Sequence, residues 1–310
     1  MIRITLIVVC SLTIVGVLVY MHVQRPVVPV FPLLPEEQAA FAEAKMAWGD
    51  AVDAFGPEVV YEEVAEAYAT RRGDEWHTAG HILGELFYER YGMQAVGMCD
   101  QRFDLGCYHE VIGRIVVSEG MGRSAALLRT CEEYGAREDC VHALGHGVLA
   151  ASGYDEESLL RALDACSTYT KSAHLVHSCP AGAFMEYNTR LLADGTNRSW
   201  ESTIRPLAPC DRLPEGPVRG ICYFWMPQWW LGYLRGELSQ QDLFSSFYEL
   251  CASAQTKKDR SACFAGIGYT TMPTQAVHDG SPCSVLPEDA RDACLAVAET
   301  GQTMNPYTHP

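Results

Sequence analysis

Residues 139–150 read DCVHALGHGVLA, a helix-like run of small and apolar residues that begins at a cysteine. Four further stretches share this arrangement. They are GCYHEVIGRIV at 106–116, SCPAGAFMEY at 178–187, ICYFWMPQWWLGY at 221–233 and ACFAGIGYTTM at 262–272. The cysteines recur with a period of about 31 to 44 residues, which is typical of helical-hairpin repeats. The sequence therefore predicts a stack of helix pairs.

Twelve of the 13 cysteines lie beyond residue 98 and fall into six sequential pairs, with 8 to 13 positions between the members of a pair. The pairs are Cys99/Cys107, Cys131/Cys140, Cys166/Cys179, Cys210/Cys222, Cys251/Cys263 and Cys283/Cys294. In the simplest interpretation the first cysteine ends one helix, the second begins the next, and a disulfide joins them. Closing a loop of this length contributes roughly 2.5 to 3 kcal/mol in the chain-entropy model. Metal ligation by these cysteines is the alternative, but the chain has no Cys-x-x-Cys motif.

Strand signals are scarce along the chain, so the fold class follows from the helical patterns. Residues 36–55 and 58–72 are rich in Ala and Glu with helical periodicity, and Asp74 is a candidate N-cap for a third helix. We therefore expect an all-α domain over residues 36–300. It is predicted to consist of disulfide-stapled helical hairpins, arranged as an α-solenoid or a compact helical array.

The first part of the chain indicates a membrane anchor. Residues 4–24 carry no formal charge and are mostly Ile, Leu, Val or small residues. As a helix they span about 31 Å, the thickness of a bilayer's hydrocarbon core. Residues 19–24 offer no small-residue cleavage site, so we expect an uncleaved signal anchor with residues 1–3 in the cytoplasm.

The paired cysteines need an oxidising space, which predicts a periplasmic or extracellular location for the C-terminal part. Residues 25–35 read RPVVPVFPLLP, and their four prolines exclude a helix and favour an extended stalk. Residues 301–310 are predicted to be a flexible tail. The formal net charge of −16 excludes nucleic acid as a partner, because an acidic surface repels phosphate backbones.

Histidines supply the sharpest chemical signal. His77 and His81 lie four residues apart on a predicted helix, and Glu85 follows at the same spacing, so all three share one face. His142 and His146 repeat this spacing.

His109 stands two residues after Cys107, as His142 stands two residues after Cys140. Because stacked repeats bring equivalent positions side by side, we expect His81, His109, His142 and His146 to converge on one groove, with His77, Glu85 and Glu110 nearby. Imidazoles spaced in this way bind transition metals, here Zn, Cu or Fe, and a carboxylate can complete or orient the site. Two alternatives stay open: histidines that only pack between helices, and metal-free acid/base catalysis. There is no His-Glu-x-x-His motif, so the sequence gives no support for a zinc protease of that type.

A second candidate site is an aromatic groove. Trp225, Trp229 and Trp230 belong to a dense aromatic run, and a helical repeat can offer such rings to a protein or peptide partner. Glu110, Glu186 and Asn188 are the polar residues of the predicted binding groove, where Glu186 and Asn188 could face the histidines. The alternative for Glu186 and Asn188 is an exposed helix C-terminus. The alternative is that the aromatic rings fill the hairpin core.

The alternating helix pairs resemble the Sel1-like and tetratricopeptide superfamily of helical repeats over roughly residues 74–300. The small residues of AlaLeuGlyHisGly at 143–147 and AlaGlyIleGlyTyr at 265–269 carry this resemblance. The repeat length varies, the tetratricopeptide tryptophan signature does not recur, and the cysteine pairs are an addition. The chain also resembles membrane-anchored proteins in which a histidine-bearing helix precedes Cys-x-His repeats. The first resemblance implies a binding or scaffolding surface and implies no reaction.

Two functions follow from these patterns. The first is a membrane-tethered extracytoplasmic helical-repeat protein that binds a partner or scaffolds a complex. The alternative is a transition-metal-binding protein or metalloenzyme that uses the histidines of the first repeats. The sequence does not decide whether the chain is an enzyme.

Overall fold

The computed structural model describes residues 27–33, 38–71, 73–169, 178–193, 205–234, 240–271 and 282–300. Within these ranges the chain forms twelve α-helices and no strand, which confirms the all-α prediction. The helices are α1 (Gln38–Phe55), α2 (Pro57–Tyr68), α3 (Gly73–Tyr91), α4 (Gly106–Glu119), α5 (Ser124–Glu133), α6 (Arg137–Ser152), α7 (Glu156–Ser167), α8 (Cys179–Ala193), α9 (Pro217–Leu234), α10 (Gln240–Ala252), α11 (Lys257–Thr271) and α12 (Glu288–Thr300). Short 3₁₀ segments lie between some of them.

Local sequence sets several helix ends. The side chain of Asp155 caps α7 by accepting a 2.7 Å hydrogen bond from the backbone N–H of Ser158. Helices α4 and α6 end at Gly120 and Gly153, whose φ angles of 82° and 104° favour glycine. These ends give the short connections that the hairpins need.

Six disulfides join sequential cysteines and confirm the pairing predicted from the repeat. The bonds are Cys99–Cys107, Cys131–Cys140, Cys166–Cys179, Cys210–Cys222, Cys251–Cys263 and Cys283–Cys294. All twelve sulfur atoms are therefore bonded in pairs, and the alternative of metal ligation by these cysteines is wrong. The bonds indicate an oxidising, extracytoplasmic environment.

The prediction that the second cysteine of each pair begins a helix holds only in the first three repeats. Cys107, Cys140 and Cys179 lie in the first turn of α4, α6 and α8. The prediction is wrong for the last three pairs, whose second cysteines lie more than one turn inside α9, α11 and α12. They are Cys222, Cys263 and Cys294.

Start signals upstream of these cysteines explain the difference. Helix α9 begins at Pro217, a residue that favours the first helical position. Before α11, the backbone N–H of Asp259 donates to the Thr256 hydroxyl at 3.1 Å, and the N–H of Thr256 donates to the Asp259 carboxylate at 3.2 Å. This reciprocal cap begins the helix well before Cys263. Helix α12 follows Pro287 and carries two acidic residues in its first turn, so it begins well before Cys294.

The helices that carry the second cysteines form one continuous layer with α3, in the packing order α3, α4, α6, α8, α9, α11 and α12. Glycines let their backbones approach closely. A Cβ at Gly145 of α6 would lie 2.0 Å from the carbonyl oxygen of Cys179, and one at Gly182 of α8 would lie 2.0 Å from that of His142. The close approach brings the side chains beside these glycines into contact across the helix pair.

The described part of the predicted stalk, residues 27–33, is extended and contains no helix. This segment was predicted to be a stalk that stands away from the domain, but it packs against the domain, with Val28 and Leu33 buried. The Trp48 indole N–H donates to the Pro29 carbonyl at 3.1 Å. The Tyr68 hydroxyl donates to the Phe31 carbonyl and accepts from the Phe31 N–H, both at 2.9 Å. The segment is therefore a docked strap and not a free spacer.

The predicted anchor at 4–24, its flank at 1–3 and the tail at 301–310 lie outside the described residues. Among the helices that the structure describes, none combines the length and the apolar character needed to cross a membrane.

Candidate metal centre

The first histidine pair projects from α3. His77 and His81 lie one turn apart, and their Nε2 atoms face each other at 3.1 Å. The outer nitrogen of each ring has its own partner. His77 Nδ1 lies 3.0 Å from the carbonyl oxygen of Phe103, and His81 Nδ1 lies 3.1 Å from Oε2 of Glu110 on α4. Both rings are thus held at two points.

These outer contacts fix the tautomers. A carbonyl oxygen can only accept a hydrogen bond, so His77 must carry its proton on Nδ1. The Glu110 carboxylate is an acceptor as well, which places a proton on Nδ1 of His81. In the neutral rings both Nε2 atoms are then lone-pair acceptors that face each other at 3.1 Å. Two facing lone pairs at this distance require a cation between them, either an added proton or a metal ion.

A strained turn supplies the carbonyl that holds His77. Three successive non-glycine residues, Phe103, Asp104 and Leu105, have φ angles of 59°, 49° and 65°, in the left-handed region. Such conformations persist where the surrounding structure enforces them, and they are frequent at functional sites. Here Phe103 is buried and stacks on Trp76 of α3, with ring centroids 4.2 Å apart. The turn therefore fixes the carbonyl against the histidine helix.

The second pair projects from α6 and repeats the close approach of the two Nε2 atoms and the carboxylate contact of the second ring. The Nε2 atoms of His142 and His146 lie 3.3 Å apart. His146 Nδ1 lies 3.1 Å from Oε2 of Glu186 on α8, and the Tyr154 hydroxyl donates to the other oxygen of Glu186 at 2.9 Å. The carboxylate again places the proton of its histidine on Nδ1, so that Nε2 of His146 faces its neighbour as an acceptor.

His109 of α4 lies between the two pairs. Its ring centroid is 5.3 Å from that of His77 and 5.8 Å from that of His81. The corresponding distances are 5.3 Å to His142 and 4.3 Å to His146. His109 is buried, and its Nε2 has no hydrogen-bond partner among the described residues. A buried polar atom in this state needs an explanation, and a bound ion supplies one.

Two triads result, and they share His109. One consists of His77, His81 and His109, and the other of His109, His142 and His146. In each triad the three candidate ligand atoms lie within 4.8 Å of one another. Two nitrogens bound tetrahedrally to one zinc ion at about 2.0 to 2.1 Å are about 3.3 to 3.4 Å apart. The Nε2 separations of 3.1 and 3.3 Å are close to this value.

No protein family, curated protein or solved structure matches this chain.

Ionisation in the site favours ligation. Burial, followed by the neighbouring His81, lowers the pKa of His77 to about 3, so a proton on its Nε2 is strongly disfavoured at neutral pH. Burial also lowers the pKa of His109 well below its ordinary value. Burial opposes the ionisation of Glu110, but its contacts with His81 and Arg114 hold its pKa below the usual range. His77 and His109 are thus neutral ligands, and the charged Glu110 carboxylate orients His81.

Glu85, predicted as a member of the metal set, lies apart from the histidine nitrogens. Its carboxylate contacts Arg114 of α4 and, at 3.1 Å, the Lys45 ammonium of α1. Arg114 also contacts Glu110, from Nε to Oε1, at 2.6 Å. Glu85 therefore belongs to a network of ion pairs that includes Arg114 and Glu110, and Glu110 in turn contacts His81 of the first histidine pair.

The residues predicted to line a groove fall into three groups. Trp225, Trp229 and Trp230 are buried, which agrees with the core alternative and not with an exposed groove. Glu110 and Glu186 each contact a histidine nitrogen, and Glu110 also lines a cavity beside His81. Asn188 of α8 is buried.

Four residues contribute to the site without having been predicted as site residues. Arg114 follows Glu110 by four residues, a spacing that signals a helical ion pair. Gly80 and Gly145 directly precede the second histidine of each pair in His-x-x-Gly-His, which marks the face where helices approach closely. The Phe103 carbonyl has no comparable sequence signal, because the left-handed turn at residues 103–105 contains no glycine that would predict it.

Proposed function

We propose that the chain is an extracytoplasmic transition-metal-binding protein whose centre is formed by His77, His81, His109, His142 and His146. The observation that carries the proposal is the pair of Nε2 atoms of His77 and His81, which face each other at 3.1 Å as lone-pair acceptors beside His109. A metal ion bound to the triad would satisfy all three nitrogens.

The outer contacts support ligation over simple packing. Histidines that only pack would have each nitrogen paired with a protein group. Here the Nδ1 atoms of His77, His81 and His146 are paired, while the Nε2 atoms converge. Ligating histidines are typically oriented in this way, with the second nitrogen donating to a carboxylate or backbone carbonyl.

An all-imidazole donor set suits Zn, Cu, Fe or Ni and is a poor match for Mg or Ca, which prefer oxygen ligands. Binding requires neutral imidazoles, and the lowered pKa values of His77 and His109 keep these rings neutral at physiological pH. The scaffold function predicted from the repeat resemblance stays a prediction, and the burial of the three tryptophans removes the groove offered for it.

Elemental analysis tests the proposal. The full chain, produced in an oxidising compartment, should hold near-stoichiometric transition metal after passage over a chelating resin. The double variant His81→Ala/His142→Ala removes one ligand from each triad and should lose that metal while circular dichroism shows the same helix content. The control His278→Ala/His309→Ala changes the same number of histidines elsewhere in the sequence and should keep the metal. Equal metal in all three proteins, or none in the wild type after supply of Zn, Cu and Fe, would refute the proposal.

A further inference from the structure

A cavity opens beside the first triad. It has a volume of about 560 Å³ and lies between α1, α3 and α4. His81 and Glu110 form part of its wall, Phe41 and Ile82 give it an apolar side, and Lys45 and Arg114 bring cations. The cavity therefore gives solvent access to His81, a candidate metal ligand.

The two histidine pairs differ in exposure. The His81 side chain is 36% exposed, whereas that of His146 is 11% exposed. Glu186 and Tyr154 cover the outer side of His146. An ion in the first triad would be accessible from solvent, and an ion in the second would be enclosed by helices.

The charges around the cavity determine what it can accept. Four charged side chains line it, and the two cations Lys45 and Arg114 formally offset Glu85 and Glu110. The three imidazoles of the triad bind as neutral ligands and contribute no charge. A divalent ion then adds two positive charges that no ligand offsets, and it becomes the largest local charge in the site. A small anion is the ligand that this electrostatic balance favours.

We propose that the ion in the first triad keeps a coordination position open toward this cavity and binds a small anion there. The proposal rests on the metal centre proposed above. Three protein ligands leave a fourth position, as in sites where zinc carries an exchangeable ligand. The cations Lys45 and Arg114 lie on the path of the anion, and the apolar residues opposite them limit its size.

Copper and azide provide the probe. The full chain, freed of metal and then loaded with Cu(II), is titrated with azide, and the azide-to-copper charge-transfer absorption is followed. Ala42 lines the cavity and is exposed on α1, so Ala42→Trp would fill the cavity without replacing a ligand. Ala54→Trp places the same side chain at an exposed position on α1 outside the cavity lining and is the matched control.

The wild type and Ala54→Trp should bind azide equally, and Ala42→Trp should bind it at least about 10-fold more weakly with unchanged copper content. Full copper loading without an azide band, or an azide affinity that Ala42→Trp leaves unchanged, would refute the open position while the metal centre stands. A wild-type chain that binds no copper would overturn the metal centre and the anion site together.

Discussion

The first and second halves of the helix layer use the same repeat position for different chemistry. The second residue after the second cysteine is His109 in α4 and His142 in α6, but Phe224 in α9. His109 contacts His146, which stands six residues after Cys140, and Phe224 contacts Tyr269, which stands six residues after Cys263; the ring centroids are 4.3 and 5.4 Å apart. The repeat thus brings rings at equivalent positions into contact in both halves. The residue types at these two positions decide whether the contact becomes a polar centre or part of the core.

The two halves also stabilise their helix contacts differently. Around the histidines, the outer contacts are hydrogen bonds from ring nitrogens to a carbonyl or a carboxylate. In the second half, buried aromatic rings dominate, as between Trp230 and Phe247. A buried ion pair joins α9 to α11 there, with two contacts of 3.1 and 2.7 Å between Arg219 and Asp259. We therefore expect changes in the first half to alter ligand binding, and changes in the second half to alter stability.

The largest effect is expected at His109, because both triads contain it. His109→Ala should abolish metal binding because it removes a ligand from both triads, whereas His146→Ala leaves the first triad of His77, His81 and His109 able to hold an ion. Metal content per folded chain, measured by mass spectrometry of the elements, distinguishes the two variants. Equal metal loss in both variants would mean that the centre holds a single ion and that the two triads do not act separately.

A core truncation in the second half should separate stability from metal binding. Phe247 is fully buried, and Phe247→Ala should lower the free energy of unfolding by about 3 to 5 kcal/mol through lost contacts and the cavity left behind. The metal content of the folded protein should not change. Phe55 is 43% exposed, so the control Phe55→Ala should change the free energy by about 0.5 kcal/mol or less. Denaturant titration measures both, and a loss of metal in Phe247→Ala would argue against two independent halves.

The smallest effect is expected at the carboxylate that orients His146. Glu186→Gln keeps the size of the side chain but removes its charge, and changes of this kind weaken metal affinity by about 10- to 100-fold. Competition with a chromophoric chelator gives the affinity. Glu157 is 84% exposed and forms a surface ion pair, so Glu157→Gln should leave it unchanged. The same affinity in both variants would show that the carboxylate does not support a ligand.

Much of the fold was predictable because the signals are local or periodic. The pairing of Cys131 with Cys140 follows from the repeat, and the spacing of His142 and His146 follows from 3.6 residues per helical turn. The convergence of four rings, with His77 nearby, was expected from the equivalence of repeat positions. The histidine rings come together in the structure because Gly145 and Gly182 allow the backbones of α6 and α8 to approach closely.

The position of a cysteine within its helix was harder to predict than its partner. The repeat pairs Cys263 with Cys251 and Cys294 with Cys283, and these bonds form. The helices nevertheless begin more than one turn before Cys263 and Cys294, because capping and proline signals upstream set their first residues. A cysteine carries no start signal of its own, so the repeat alone does not fix the helix boundary.

Other features depend on contacts between distant residues and leave no local signal. Spacing grouped Glu85 with the α3 histidines, but cations on α1 and α4 attract its carboxylate instead. The Phe103 carbonyl reaches His77 only through three left-handed residues that no glycine announces. The tryptophans looked like groove residues because composition alone does not separate a buried ring from an exposed one.

The docked strap has a consequence for where the domain would sit. Trp48 and Tyr68 hold residues 29 and 31, so the chain is fixed to the domain from residue 27 onward. If residues 4–24 span a bilayer as predicted, only residues 25 and 26 connect the span to the strap, a reach of roughly 7 Å. Helix α1 carries both Trp48 and one wall of the cavity. The domain and its cavity would then be held at the membrane surface, because the domain could not move away from the predicted span by more than this reach.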